Sequence, residues 1–239
     1  MGNAARCLLM LCLATTAAYD TGCSLPKGPS LPAEGSPAIV PTPPDEAVAA
    51  GFLTGLGPRR GKVRITRKGR PAYTASFTVE PHQDGWRFSI ETMHTAYLRQ
   101  NADGALDTML EEDHEEQVAV SYEPPFVMLP ASLVPGVPAR FECRMNITDL
   151  RSGAPRDRGH CAYRIELLER RNQAEPNGPV VPYVVRTTRD ITLRMARARV
   201  VTEVTFVPGR GLVREHTRQT VLPLGLFRIE KEYDIRVIE

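Results

Sequence analysis

A chain of 239 residues with 42% hydrophobic content carries enough apolar side chain for a real core in one or two domains. Its net charge of +2 gives no electrostatic reason for a polyanionic partner, and no nucleic acid is expected. Aromatics make up 6%, Trp86 is the lone tryptophan and the last residue is Glu239, all of which argue against a membrane-spanning barrel with aromatic girdles.

The N-terminus reads as a targeting signal. Residues 1–6 hold one positive charge, and residues 7–18 (CLLMLCLATTAA) are uncharged and mostly apolar. That run is shorter than the ~20 residues a spanning helix needs and suits a signal-peptide core. Gly22-Cys23-Ser24 follows and resembles the lipobox of bacterial lipoproteins, in which the Cys becomes the acylated N-terminus. Asp20 stands where that family carries an aliphatic residue. Cleavage after Ala17-Ala18, releasing a soluble secreted protein, is the alternative. The resemblance implies attachment to a membrane through lipid on Cys23. Ser24, by the family's sorting rule, implies an outer-membrane anchor facing the periplasm.

Seven prolines between Ser24 and Pro44 favour extended polyproline II, the composition of a stalk. One helical turn capped by Asp45 is expected next, with Gly51, Gly55 and Gly57 against anything longer. The expected division is a signal peptide over 1–22, a lipid-anchored Pro-rich tether over 23–57 and a β domain over 58–239.

From there the period is two. Strands are expected over 62–67, 72–80, 86–91, 105–111 and 117–122, because apolar and polar residues alternate in each. Residues 123–138 break the pattern: five prolines exclude a central strand, while Phe126, Val127, Met128, Leu129, Leu133 and Val134 are strongly apolar. The segment reads as a greasy lid over an end of the sheet or its apolar face. Alternation resumes over 140–147 and 161–167, then over a long strand at 182–195, then over 200–207, 212–221 and 226–239. In the closing strand Phe227, Ile229, Tyr233, Ile235 and Val237 share one face. About ten strands with one apolar face predict an all-β antiparallel meander closed into a barrel or deeply curved half-barrel, with a β-sandwich as the alternative.

The lipobox, the Pro-rich stalk and the segment Phe206-Val207-Pro208-Gly209-Arg210-Gly211-Leu212-Val213 together resemble an uncharacterised group of β-rich bacterial envelope lipoproteins. That group is broadly similar in shape to LolA/LolB-like lipoprotein-carrier half-barrels. The resemblance covers the last third of the chain and implies a curved sheet with an apolar groove; it carries no catalytic residue.

Candidate sites are few. Cys143 and Cys161 face each other if their strands form a hairpin near Ser152, as a cross-strand disulfide or as two buried thiols. Arg59, Arg60, Lys62, Arg64, Arg67, Lys68 and Arg70 read as a solvated strand face, with anionic headgroups as the alternative partner. Residues 111–116 (EEDHEE) read as a solvated turn, since consecutive residues diverge and match no metal spacing. Asn146-Ile147-Thr148 is a glycosylation sequon that matters only in a eukaryotic secretory pathway. His82, His94, His160 and His216 are scattered, and no nucleophile elbow, phosphate loop or dinucleotide fingerprint occurs. No catalytic residue, cofactor or metal is therefore named, and a non-enzyme is expected. The expected role is binding of a lipid or other apolar ligand in the curved sheet, with Phe77, Trp86, Phe88, Phe141 and Tyr233 among the lining residues. A structural or interaction module, displayed on the stalk to an envelope protein and filled inside, is the competing expectation.

Overall fold

The computed structural model describes residues 48–49, 57–168, 182–208 and 210–238. The signal peptide, Cys23, most of the tether and the loop at 172–179 lie outside them. Within the segment expected to open on a helical turn, Val48–Ala49 is instead a short strand, β1.

Twelve strands close into one barrel: β2 (Arg59–Arg67), β3 (Tyr73–His82), β4 (Gly85–Ile90), β5 (His94–Gln100), β6 (Leu106–Asp113), β7 (Val118–Leu129), β9 (Ala139–Asp149), β10 (Pro155–Leu167), β11 (Tyr183–Leu193), β12 (Ala196–Val207), β13 (Gly211–Pro223) and β14 (Ile229–Val237). Each pairs antiparallel with its sequence neighbour in the wall, and β14 closes on β2 through Tyr233↔Arg67 to Val237↔Val63. The barrel is thus fully closed rather than the half-barrel the resemblance implied. Closure pairs every strand edge with another and removes the template for aggregation. The remaining pair, β1 with β8 (Ser132–Leu133), lies at one end.

The inward face is apolar. Val63, Ile65, Val118, Ile147, Ile165 and Val221 are all at most 2% exposed, and burying each such side chain is worth about 1.5–3 kcal/mol. The outward face is charged, with Arg186 on Glu203 at 2.7 Å, Arg214 on Asp234 at 2.6 Å and Arg87 on Glu80 at 2.6 Å. An arginine or lysine on a lipid-facing wall costs about 2–4 kcal/mol at the bilayer midplane, so this wall is built for water.

Four expectations need correction. A strand over 92–100 was not foreseen, yet β5 is there; the β4–β5 turn is made by Thr92 in the left-handed region (φ 57°), which no turn residue advertises. The expected strand 182–195 ends at Leu193, and β12 begins at Ala196 rather than Val200. Prolines were expected to exclude a strand from 123 onward, but β7 runs to Leu129. The ladder to β6 jumps from Ser121 to Phe126, and the ladder to β9 ends at Glu123, so Pro124 and Pro125 sit where no amide is required. Phe227, expected on the buried face of the last strand, is 52% exposed in the turn before β14.

Candidate functional site

An eight-stranded barrel is just filled by its own side chains, and diameter grows with strand number. Twelve strands leave space, and the lumen holds a cavity of about 940 Å³. Its walls are mostly aliphatic and aromatic: Val79, Phe88 and Ile90 from β3 and β4, Ala96 and Leu98 from β5, Met145 and Ile147 from β9, and Val200, Val204 and Phe206 from β12.

Two ends differ. Where the tether arrives, Leu129 and Leu133 are 1% exposed, and β8 is held by β1 on one side. Phe126, Met128 and Leu129 border the cavity from there. The greasy segment therefore packs at one end of the lumen, part strand and part loop. At the other end, charged side chains line the opening: Arg67, Asp113, Glu115, Glu116 and Lys231. Arg67 donates to both carboxylate oxygens of Glu115 at 2.7 and 2.8 Å and to the Tyr73 hydroxyl at 3.2 Å. Glu116 faces Lys231 at 3.9 Å. Burial raises the Glu116 pKa and lowers that of Lys231, and each partner's charge only partly offsets this. Of the run 111–116, expected as a solvated turn, residues 111–113 are the end of β6, and Glu115 and Glu116 lie in the turn that follows and line the opening.

The middle of the lumen is polar. Arg189 projects from β11, between Thr187 and Ile191 on the inward register. Its guanidinium lies 5.6 Å from the Phe126 ring centroid. Phe126 stacks on Tyr163 at 4.3 Å, and Tyr163 on Phe141 at 5.4 Å. The Tyr163 hydroxyl accepts the Val127 amide at 2.8 Å, which fixes this aromatic ladder to β7. Burial works to lower the Arg189 pKa, but Glu111, Tyr122, Cys161 and Tyr233 outweigh it, and the group is held firmly protonated. Tyr122 donates to Glu111 at 2.8 Å. Burial, then the Glu111 charge, pushes the Tyr122 hydroxyl far above its ordinary value. On the opposite wall Thr202 and Thr217 share a hydrogen bond of 3.0 Å, and Thr217 donates to Glu215 at 3.1 Å.

Of the five expected lining residues, Phe88 and Tyr233 border the cavity. Phe77 packs behind Phe88 at 6.5 Å between ring centroids, Phe141 is the outer member of the aromatic ladder, and Trp86 packs between the two apolar clusters without reaching the space. These three belong to the packed wall rather than to the cavity lining. Cys143 and Cys161 stand directly opposite each other in the β9–β10 register, 2% and 1% exposed, as thiols. The hydrogen bond to Cys143, then burial, raises the Cys161 pKa.

The polar centre was missed in the sequence because the inward face of β11 was recognised by its apolar members, Val185, Ile191 and Leu193. Thr187 and Arg189 fall on the same register, and that is the signal that could have found them. Glu215, Thr217 and Gln219 on β13 follow the same rule.

No family model matches this chain, and no curated protein matches it. A solved structure that does match is the crystal structure of a "putative lipoprotein" from Parabacteroides distasonis ATCC 8503, over 77% of this chain and 95% of that chain, at 12% identity and a TM-score of 0.36. Likeness at that level decides nothing about site or activity, and the twelve-stranded closed barrel stands on this chain's own strand pairing.

Proposed function

We propose that this chain is a non-catalytic lipoprotein of the bacterial cell envelope, held by acylated Cys23 and a proline-rich tether, whose barrel takes up a lipid or other largely apolar ligand. The observation that carries the ligand reading is the cavity of about 940 Å³ inside a barrel whose outer wall is charged. Ligand pockets of roughly 300–1,000 Å³ with mainly hydrophobic linings and a few placed polar groups are the usual form of a small-molecule site. The interaction-module reading called for a filled interior, and the cavity favours the ligand over it. The envelope reading rests on the N-terminal sequence: the apolar run, Gly22-Cys23-Ser24 and the stalk.

The test is native mass spectrometry of the mature chain, exported under a cleavable leader with Cys23→Ser so that it is released without detergent. A reproducible extra mass, lost on denaturation and identified as a lipid, is the expected result. A clean unliganded mass in repeated preparations, with no uptake of added lipid, overturns the ligand reading.

A further inference from the structure

The lumen of this barrel is apolar along its walls and holds a guanidinium, that of Arg189, among the polar groups at its centre. Among the described residues, four arginines have a buried Nε with no hydrogen-bond partner: Arg59, Arg164, Arg189 and Arg199. Three of them are satisfied by another contact. Arg59 donates to the Arg210 carbonyl, Arg164 pairs with Glu166 at 3.3 Å and Arg199 with Asp190 at 3.9 Å. Arg189 alone of the four has only a ring beneath it, the face of Phe126. Glu111, whose charge acts most strongly on Arg189, spends a carboxylate oxygen on the Tyr122 hydroxyl. A guanidinium held in an apolar interior without a carboxylate at hydrogen-bond distance is costly, and the cost is relieved when an anion is brought to it. A planar fork of N–H donors suits a carboxylate or a phosphate.

Resting on the ligand reading above, the geometry points to a single-chain anionic amphiphile as the class of ligand, its carboxylate or phosphate headgroup on Arg189 and its acyl chain along the aliphatic wall. The chain's place is set by Phe88, Ala96, Met145 and Val200, which border the same space. Thr187 and Gln219 lie on the cavity surface beside the headgroup position and offer further hydrogen bonds. Glu111 works against the anion, because its charge competes for the same guanidinium. Removing that charge therefore strengthens binding, which a merely structural role for Arg189 and Glu111 does not anticipate.

The experiment measures affinities of the mature chain for three probes sharing one eighteen-carbon monounsaturated chain: oleate, 1-oleoyl-glycerol-3-phosphate and oleyl alcohol. Wild type is compared with Arg189→Met, Arg189→Lys and Glu111→Gln. Wild type is expected to prefer at least one anionic probe over the alcohol by about tenfold or more, the size of one charge-assisted contact. Arg189→Met loses that preference and keeps its affinity for the alcohol. Glu111→Gln, whose amide oxygen still accepts from Tyr122, gains affinity for the anion only. Preference for oleate identifies a carboxylate ligand and preference for the phosphate probe a phospholipid-type headgroup. Equal affinity of wild type for all three probes overturns the proposal, as does an Arg189→Met variant that binds the anions like wild type. If Arg189→Met does not fold, Arg189→Lys and Glu111→Gln decide: an Arg189→Lys variant with undiminished anion affinity and a Glu111→Gln variant with no gain together overturn it. Failure of every probe, the alcohol included, refutes the ligand reading itself and is distinguishable from failure of the headgroup assignment.

Discussion

Arg67 on β2 and Glu115 in the β6–β7 turn meet through two parallel contacts of 2.7 and 2.8 Å, although β3, β4 and β5 separate their strands around the wall. The pair spans the open end of the barrel, and Lys231 with Glu116 at 3.9 Å lies beside it. The hydrogen bond and charge of Glu115 outweigh burial and raise the Arg67 pKa, so the cation persists at any ordinary pH. The arrangement is a charged bar across the way into the lumen.

Glu115→Gln should loosen that bar with little loss of stability. Glu115 is 42% exposed, and pairs of this kind contribute about 0–1 kcal/mol. The rate of uptake of a fluorescent fatty acid should rise in the variant. It should also rise in wild type as salt screens the pair. Identical uptake rates in both proteins at low salt would show that the bar does not limit access.

Asp149 gives the β9–β10 turn its shape. Its carboxylate accepts the Ser152 amide and hydroxyl, both at 2.9 Å, and the Arg151 amide at 3.1 Å, and it pairs with Arg156. Gly153 follows in the left-handed region (φ 70°), a conformation glycine adopts without strain. The Ser152 amide first, then Arg156, hold the Asp149 carboxyl far below its ordinary value of 3.8. A depressed folded pKa stabilises the fold above the unfolded value, and that contribution is lost as pH falls through the folded one. Asp149→Asn should therefore be less stable than wild type near neutral pH, with the gap narrowing as the pH drops below 3.8. Denaturant titrations at several pH values check this; a gap independent of pH would sink it.

Cys143 and Cys161 are opposed thiols in adjacent strands. In an oxidising compartment the pair should bond, lowering the intact mass by two hydrogens. A loop of this length stabilises by about 3 kcal/mol in the chain-entropy model. Cys143→Ser should then lower the Tm of exported protein by several degrees. Two titratable thiols in the denatured, exported barrel would count against the bond.

Gly159 is required by proximity rather than by dihedral angle. A β-carbon there would run into the Thr192 carbonyl oxygen and the Leu193 Cδ2 on β11. The carbonyl is backbone and yields only if the β10–β11 ladder shifts. Gly159→Ala should cost about 1–3 kcal/mol, the range of overpacking substitutions, read as a lower denaturant midpoint. An unchanged midpoint would show that the ladder adjusts freely.

The strands with alternating faces were legible because a half-buried wall has period two, and β2, β3, β4, β9, β10 and β14 all show it. What escaped was punctuation. Thr92 turns the chain between β4 and β5, and Arg194-Met195 turn it between β11 and β12, with neither glycine nor proline to mark the place. Proline misled in the other direction, since Pro124 and Pro125 occupy a gap in both ladders of β7. The centre of the site was illegible for a related reason. A face is recognised by its apolar members, and Arg189 and Glu215 are the exceptions to the pattern that defined it. Which wall positions border open space depends on barrel diameter, which strand number sets and which no single strand encodes. Of the five expected lining residues, Phe88 and Tyr233 border the cavity and Phe77, Trp86 and Phe141 do not.

The central claim is that the lumen is the binding site. The most direct measurement is covalent labelling of the exported mature chain by a photoreactive fatty acid, with labelled positions mapped by peptide mass spectrometry. The account predicts labels on inward residues of several strands, such as Phe88, Met145 and Val200, and their loss when unlabelled oleate competes. Labels confined to the outer wall or to the exposed Leu226-Phe227 turn, unaffected by competitor, would contradict it.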